Sequence, residues 1–175
     1  FGDSHVFNLC PSIKKVAVKY SFKKFFYCEF PFSNCKLNQI SNDDILVFSA
    51  RAYYRDQKLI ESSINFLKQL SKKSNAKLFL VDDLVPFGEN HDSDFFSKFT
   101  FFRNGPSISR SSAEKRRRNH TNILLKNKND DHVYYLDPLS RVCDKKVCYA
   151  VINGILIYAD GSPHFNKNGA MILKD

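Results

Sequence analysis

The alternation of predicted strands and helices constrains the fold of this chain more than any other feature of its sequence. Apolar runs typical of strands occur at 24–28, 44–49, 76–81 and 132–136. Segments with the apolar spacing of a helix alternate with them, at 5–20, 55–73 and 109–127. Strands that alternate with helices form parallel sheets with helices on both faces. We therefore predict an α/β fold, a three-layer sandwich with a central, mostly parallel sheet.

The two central runs, 44–49 and 76–81, each contain four consecutive apolar residues, which predicts strands buried on both faces of the sheet. Two further runs near the C-terminus, 147–152 and 155–159, flank Asn153-Gly154. Asn-Gly favours the two-residue turn of a hairpin because both residues tolerate a positive φ. A small β-hairpin is therefore expected near the C-terminus.

The helix at 109–127 has a serine-rich start, where Ser111 and Glu114 match a capping box. The aromatic-rich stretch at 84–107 predicts a long loop that either covers the core or carries function. A last short helix is expected at 166–173. No internal repeat or domain boundary is evident, so residues 1–175 are interpreted as one domain.

Composition narrows the class of protein. A length of 175 residues with 43% hydrophobic content fits one globular domain. The sequence contains no run of about 18 apolar residues, which a membrane-spanning helix would need. The net charge of +9 fits a lysine-rich solvated surface, or alternatively a face for nucleic acid, anionic lipid or polysaccharide. The densest basic run, Lys115-Arg116-Arg117-Arg118, lacks interleaved aromatic residues, so nucleic acid is not expected as a partner.

Five cysteines occur, and four of them form two close pairs in sequence. Cys143 with Cys148, and Cys28 with Cys35, are possible disulfides, which leaves Cys10 over. Neither pair has the spacing of a zinc site, and two local bridges would imply an oxidising compartment. The histidines outside the C-terminal motif have no partner at metal spacing, so neither a metal nor a cofactor is predicted.

The stretch Phe1-Gly2-Asp3-Ser4-His5 places a serine at the start of the first predicted helix. We expect a strand to precede this turn, so the first strand of the sheet is truncated in this chain. At such a junction the hydroxyl points into the crevice beyond the carboxyl ends of the strands. The N–H of the serine, at a helix N-terminus, can stabilise the oxyanion of a tetrahedral intermediate. Ser4 is therefore the candidate nucleophile.

A serine nucleophile needs a base, and the base needs a carboxylate that fixes its tautomer. A histidine that can act as the base and an aspartate that can orient it both occur near the C-terminus, in the loop from Asp160 to His164 after the last predicted strand. His164 is the candidate base and Asp160 is the candidate orienting acid. Asp82 and Asp83 follow the strand at 76–81, so one of them either lines the same crevice or has a role in a turn or at a helix dipole.

These motifs resemble the SGNH (GDSL-type) hydrolase superfamily, through Gly2-Asp3-Ser4 near the start and Asp160 with His164 near the end. Further motifs are most similar to the SGNH domain fused to membrane acyltransferases of the acyltransferase-3 family. They are Phe48-Ser49-Ala50-Arg51-Ala52, Tyr135-Leu136-Asp137-Pro138-Leu139, Cys143 with Cys148, and Tyr158-Ala159-Asp160.

The resemblance implies acyl transfer, often of acetyl, on a cell-surface glycan. It implies an acyl donor and a glycan acceptor as partners, and an extracytoplasmic location that agrees with the disulfide interpretation. It also implies a membrane acyltransferase domain, fused to or paired with this domain, upstream of Phe1.

Three blocks depart from the superfamily pattern. Asp160 stands four residues before His164, where the superfamily spaces the pair by three. The Gly that usually helps to form the oxyanion hole is not evident in Cys28-Glu29-Phe30-Pro31, after the second strand, and Ala50-Arg51-Ala52 stands after the third strand in place of Gly-x-Asn-Asp. Together with the N–H of Ser4, Ala50 and Arg51 are the candidates for oxyanion or substrate binding. The alternatives are a free carbohydrate esterase, a catalytically degraded glycan-binding module and, from the charge, a nucleic-acid-binding domain.

Overall fold

A computed structural model describes residues 39–42, 44–50, 56–84, 105–159 and 164–172, and the single residues Ile13, Lys15, Val18, Lys19 and Phe87. In chain order its elements are β1 (Ile45–Ser49), α1 (Gln57–Ser74), β2 (Lys77–Val81), β3 (Ser107–Ser109), α2 (Arg110–Asn127), β4 (Val133–Leu136), α3 (Leu139–Val142), β5 (Val147–Tyr149), β6 (Val151–Ile152), β7 (Ile155–Leu156) and α4 (Lys167–Ile172). The described residues form two compact units, one from 39–83 and 117–137 and one from 84–116 and 138–172. The strand expected at 24–28 and most of the helix expected at 5–20 lie outside the described residues.

The first unit contains a parallel sheet in the order β1-β2-β4. Val47 of β1 is paired with Phe79 of β2, which in turn is paired with Tyr134 of β4. The α/β class with a parallel sheet is therefore confirmed, as are three of the four predicted strands. Parallel neighbours place the carboxyl ends of all three strands at one edge.

One face of this sheet carries the core of the unit. The buried residues of α1, which recur at helical spacing as Ile60, Ile64 and Leu67, pack in one cluster with β1, β2, β4 and α2. The opposite face is more open: Ile45 and Tyr134 each keep 43% of their surface exposed. The prediction that the apolar runs are buried on both faces was therefore too strong. The apolar content of Val47 and Phe79 was interpreted as full burial, whereas both are only partly buried.

Helix α1 is defined by polar groups at both ends. Asp56 precedes it, and its Oδ1 accepts a hydrogen bond from the backbone N–H of Lys58 at 2.9 Å. At the other end Asn75 adopts a left-handed conformation with φ of 54° and donates its N–H to the carbonyl of Ser71. Both features satisfy backbone groups that a helix end leaves unpaired.

The start of α2 differs from the predicted capping box. The hydroxyl of Ser109, which precedes the helix, accepts a hydrogen bond from the N–H of Ser112 at 3.2 Å. Glu114 instead accepts from the Nε of Arg110, one turn earlier, at 2.9 Å. The observed cap, Ser109, therefore stands two residues before the expected cap, Ser111, and the helix begins at Arg110.

The second unit contains two small antiparallel sheets. The predicted hairpin exists as β6 and β7, and Asn153 and Gly154 at its turn have φ of 52° and 75°. The run at 147–152 is two strands rather than one, because β5 is paired with β3 and not with β7. The predicted bridge between Cys143 and Cys148 is present as a disulfide.

Helix α4 packs closely on the strand that precedes it. The side chain of Asn166 accepts a hydrogen bond from the N–H of Gly169 at 2.9 Å, and its Nδ2 donates to the carbonyl oxygens of Leu156 and Tyr158. A Cβ added to Gly169 would overlap the carbonyl oxygen of Ile157. Only glycine therefore permits this approach of the helix to the backbone.

We predict that Gly169→Ala lowers the free energy of unfolding by about 2 kcal/mol, because the added methyl group meets backbone that has little freedom to move. Thermal or denaturant unfolding of the purified protein measures this change. Asn168→Ala, at the exposed neighbouring position of the same helix, is the matched control and should change stability by less than about 0.5 kcal/mol. Equal effects of the two substitutions would contradict the packing described for Gly169.

Candidate functional site

The carboxyl ends of the three parallel strands lie side by side in the first unit. Ala50 follows β1, Asp82 follows β2 and Asp137 follows β4, and the register of the sheet aligns these positions. The N–H of Asp82 also donates to the carbonyl of Leu136 at 2.9 Å, which extends the pairing of β2 with β4 by one step. Ligands of open α/β sheets bind outside this edge.

Four side chains converge on the carboxylate of Asp82, whose own side chain is completely buried. Its Oδ1 lies 2.8 Å from Nδ1 of His120. Its Oδ2 accepts hydrogen bonds from the hydroxyls of Thr121 at 2.7 Å and Tyr135 at 2.6 Å. Nη1 of Arg117 lies 3.1 Å from the same oxygen. We call Asp82, Arg117, His120, Thr121, Tyr135 and Asp137 the Asp82 network.

Arg117 joins the ends of two strands. Its guanidinium contacts Asp82 through Nη1 and Asp137 through Nη2, the second contact at 2.8 Å. Nη1 also donates to the carbonyl oxygen of Asp83 at 3.3 Å. A planar guanidinium suits such a site because its donors point in fixed directions. Only 6% of the Arg117 side chain is exposed, whereas 31% of the Asp137 side chain is exposed.

The surroundings of Asp82 favour its ionised form. Burial alone would raise the pKa of this carboxyl, but the hydrogen bond from His120, the charge of Arg117 and the hydrogen bond from Tyr135 together hold it below its ordinary value of 3.8. Burial and the hydrogen bond to this carboxylate raise the pKa of Tyr135 far above its ordinary value. Because an ionised carboxylate only accepts hydrogen bonds, Nδ1 of His120 carries the proton that points to Asp82.

Two atoms of the network are left without an obvious partner. Nε of Arg117 and Nε2 of His120 are buried and form no hydrogen bond with any of the residues that the structure describes. The carboxylate of Asp82 already contacts four side chains, so it has no capacity left to act as a nucleophile or a general base. Its chemical role is to fix the groups around it at the carboxyl edge of the sheet.

The structure describes only some of the residues that are expected to perform catalysis. Ser4, Arg51 and Asp160 lie outside the described residues, as do Cys28 and Cys35. Ala50 is described and buried, directly after β1, so its backbone lies at the carboxyl edge. His164 belongs to the second unit, where its carbonyl oxygen accepts a hydrogen bond from the N–H of Ala159 at 2.8 Å.

The Asp82 network was not recognised from the sequence as a unit. Asp82 and Asp83 were expected either to line a crevice or to serve a turn, but both are buried. Arg117 was interpreted as part of a solvated basic run, and His120 as a histidine without a partner at metal spacing. One signal was available: Ala113, Arg117, His120 and Leu124 recur at helical spacing and form the buried stripe of α2.

Two further observations concern the described residues alone. They contain no group of three or more histidine, cysteine or acidic residues arranged to hold a metal ion. None of their helices combines the length and the hydrophobicity that are needed to cross a bilayer.

Comparison with known proteins defines the class of the chain. A family described as the SGNH domain fused to AT3 domains matches residues 1–175, and the chain therefore belongs to this family. Its fold is similar to that of a Salmonella ser. Paratyphi A lipopolysaccharide acetyltransferase periplasmic domain, with a TM-score of 0.64 and 14% sequence identity. The similarity covers 98% of this chain and 78% of the Salmonella chain. No curated protein sequence matches the chain.

We predict that Tyr135→Phe lowers the free energy of unfolding by about 1.5–3 kcal/mol, because it removes a hydrogen bond to a buried carboxylate. Denaturant unfolding measures the change. Tyr134→Phe is the matched control, since this neighbouring side chain is 43% exposed and points away from the network, and it should stay within about 0.5 kcal/mol of the parent protein. A similar loss in both variants would contradict the assigned role of the Tyr135 hydroxyl.

The lowered pKa of Asp82 also predicts a pH dependence. Its stabilising contribution is present at pH values above its ordinary pKa of 3.8 and is lost as the pH falls through the lower folded-state pKa. The free energy of unfolding should therefore fall more steeply with acidification in the parent protein than in Asp82→Asn. Urea unfolding at pH values from about 6 down to about 2 measures the two slopes. The same pH dependence of unfolding in the two proteins would show that folding does not lower the pKa of Asp82.

Proposed function

We propose that this protein transfers an acyl group, such as acetyl, to a hydroxyl of a cell-surface glycan through a covalent intermediate on Ser4. The membership of the whole chain in the family of SGNH domains fused to AT3 domains carries the proposal, and the resemblance of Gly2-Asp3-Ser4 to the nucleophile motif of SGNH hydrolases supports Ser4 as the nucleophile. The Salmonella domain of similar fold, a lipopolysaccharide acetyltransferase periplasmic domain, supports acetyl as the group and a glycan as the acceptor.

In the proposed reaction, Oγ of Ser4 attacks the carbonyl carbon of the acyl donor while His164 accepts the hydroxyl proton. Asp160 orients His164 and stabilises its cationic form. The tetrahedral intermediate collapses, and the leaving group departs with the proton from His164. The acceptor hydroxyl then attacks the acyl-enzyme, again with His164 as the base, and Ser4 is regenerated.

The oxyanion of each intermediate needs fixed donors. We assign this role to the N–H of Ser4 and to the block that follows β1, Ala50 and Arg51. The position of Ala50 directly after β1, at the carboxyl edge of the sheet, supports this assignment, because ligands of open α/β sheets bind outside this edge. One such donor contributes about 10²–10³-fold to the rate.

We further propose that residues 1–175 act as one SGNH domain on the extracytoplasmic side of a membrane, joined to a membrane acyltransferase domain that delivers the acyl group. The family description and the periplasmic origin of the Salmonella domain support this location. The Cys143–Cys148 disulfide supports it independently, since such bonds persist in oxidising compartments.

A second candidate function follows from one observation in the sequence. Ala50-Arg51-Ala52 stands where related enzymes have Gly-x-Asn-Asp, and Cys28-Glu29-Phe30-Pro31, after the predicted second strand, lacks the usual Gly of the oxyanion hole. A protein that retained the fold but lost this machinery would bind a glycan without acylating it. A free esterase would keep the machinery and use water as the acceptor.

We predict that Ser4→Ala lowers acyl-ester hydrolysis and glycan acylation by at least about 10³-fold, because it removes the nucleophile. Hydrolysis of p-nitrophenyl acetate by the purified full-length protein and the O-acetyl content of the glycan in producing cells are the measurements. Ser111→Ala, an exposed serine on α2, is the matched control and should behave like the parent protein. Labelling of Ser4 by a fluorophosphonate would exclude the binding module, whereas a folded Ser4→Ala protein with full turnover would overturn the proposal.

A further inference from the structure

Helices α1 and α2 cover the same face of the parallel sheet in the first unit. Their buried residues Ile64 and Leu124 pack in one cluster with Leu78 of β2. A hydrogen bond of 2.9 Å also joins the two helices, from Nζ of Lys68 on α1 to the side-chain oxygen of Asn127 on α2. The sides of both helices that point away from the sheet therefore belong to one surface of the unit.

Five exposed cations lie on this outer side of the two helices. We call them the basic layer, and they are Lys58, Lys72, Lys73, Arg118 and Lys126. None of the five forms an ion pair with any residue that the structure describes. Glu61 is the only acidic residue in the sequence of α1, and residues 117–127 of α2 contain none. The surface is therefore strongly positive, and a complementary partner carries negative charge.

The stability of the helices accounts for only part of the basic layer. Lys72, Lys73 and Lys126 lie in the last turns of α1 and α2, where cations offset the negative end of the helix dipole. Lys58 instead lies in the first turn of α1, where the same dipole disfavours a cation, and Arg118 lies near the middle of α2. An anionic partner outside the chain accounts for these two residues, which the helix dipole does not.

The spacing and the residue types of the basic layer fit an extended anionic surface. Lys58 and Lys73 lie near opposite ends of α1, about 22 Å apart along its axis. Four of the five cations are lysines, whose flexible ammonium groups act as point charges, whereas fixed bidentate recognition of a phosphate or carboxylate favours arginine. Mobile point charges spread over such a distance match the headgroups of a bilayer better than one ordered ligand. The membrane location proposed above places such a surface within reach.

We propose that the basic layer binds the anionic phospholipid headgroups of a membrane surface. Each lysine or arginine close to such a surface strengthens binding about fivefold. The attraction decays over the Debye length, about 10 Å at 0.1 M salt, so the outer side of α1 and α2 faces the headgroups directly. Binding of this kind needs neither Ser4 nor an acyl donor, so the inference goes beyond the proposed acyl transfer and does not rest on it.

Cosedimentation of the purified chain with lipid vesicles tests the inference. Vesicles of equal parts phosphatidylglycerol and phosphatidylcholine should bind the parent protein at low salt and release it at about 0.5 M salt, where charges are screened. Vesicles of phosphatidylcholine alone should not bind it. The double variant Lys58→Gln/Arg118→Gln removes the two cations that the helix dipole does not explain, and it should bind the mixed vesicles about 20-fold more weakly.

The matched control is the double variant Arg141→Gln/Lys145→Gln, which removes the same two residue types from exposed positions of the second unit. It should bind within about threefold of the parent protein, because the lost charges lie outside the basic layer. Thermal unfolding of both double variants shows that they are folded. Ser4→Ala should bind vesicles like the parent protein, so a failure of the acyl-transfer proposal would leave this result unchanged.

Three results would overturn the inference. Equal losses in the two double variants would show that only the net charge of the chain matters. Equal binding to both kinds of vesicle would show that the headgroup charge is irrelevant. A parent protein that ignores the mixed vesicles but binds polyglutamate, with the same loss in Lys58→Gln/Arg118→Gln, would assign the basic layer to a soluble acidic polymer instead.

Discussion

The buried negative charge of Asp82 is the constraint on which the arrangement of the first unit depends. A carboxylate sealed from water is tolerated only when cations and hydrogen-bond donors compensate for its lost hydration. Arg117, His120 and Thr121 supply this compensation from α2, and Tyr135 supplies it from β4. The helix and the neighbouring strand are therefore held in one position relative to the end of β2, since a shift of either would leave a charge uncompensated.

Such a network is not a simple source of stability. Removing one partner of a buried ion pair costs about 3–5 kcal/mol, yet replacing the whole pair with apolar residues is often neutral or favourable. The charged network instead fixes the position and orientation of α2 relative to the end of β2. The apolar cluster formed by Ile64, Leu67, Leu80 and Leu124 would tolerate small displacements of α2, whereas the hydrogen bonds to Asp82 would not. Asp137 then receives a defined position at the edge of the sheet through Arg117.

The sequence predicted those parts of the fold that depend on periodicity and turn chemistry. The stripe of Ile60, Ile64 and Leu67 defined α1, and Asn153-Gly154 defined the hairpin, because both signals are local. The pairing of β3 with β5 was not predictable in this way, since a three-residue Ser-Ile-Ser strand carries no periodic signal of its own. The buried state of Arg117 was missed for a related reason: a cation within a basic run is usually solvated, and only its partners on other elements reveal otherwise. The roles of Ser4, His164 and Asp160 stay predictions that the proposed substitutions test.

The sharing of one guanidinium by two strand ends also has an evolutionary consequence. Asp82 and Asp137 both depend on Arg117, so a change at position 117 alone leaves two carboxylates to be compensated, one of them fully buried. During evolution, substitutions at these three positions should therefore occur together, as double or triple replacements. The exposed residues of the same helix can change one at a time. Related chains that lack an arginine at the equivalent of position 117 should also lack the acidic residue at the end of β2.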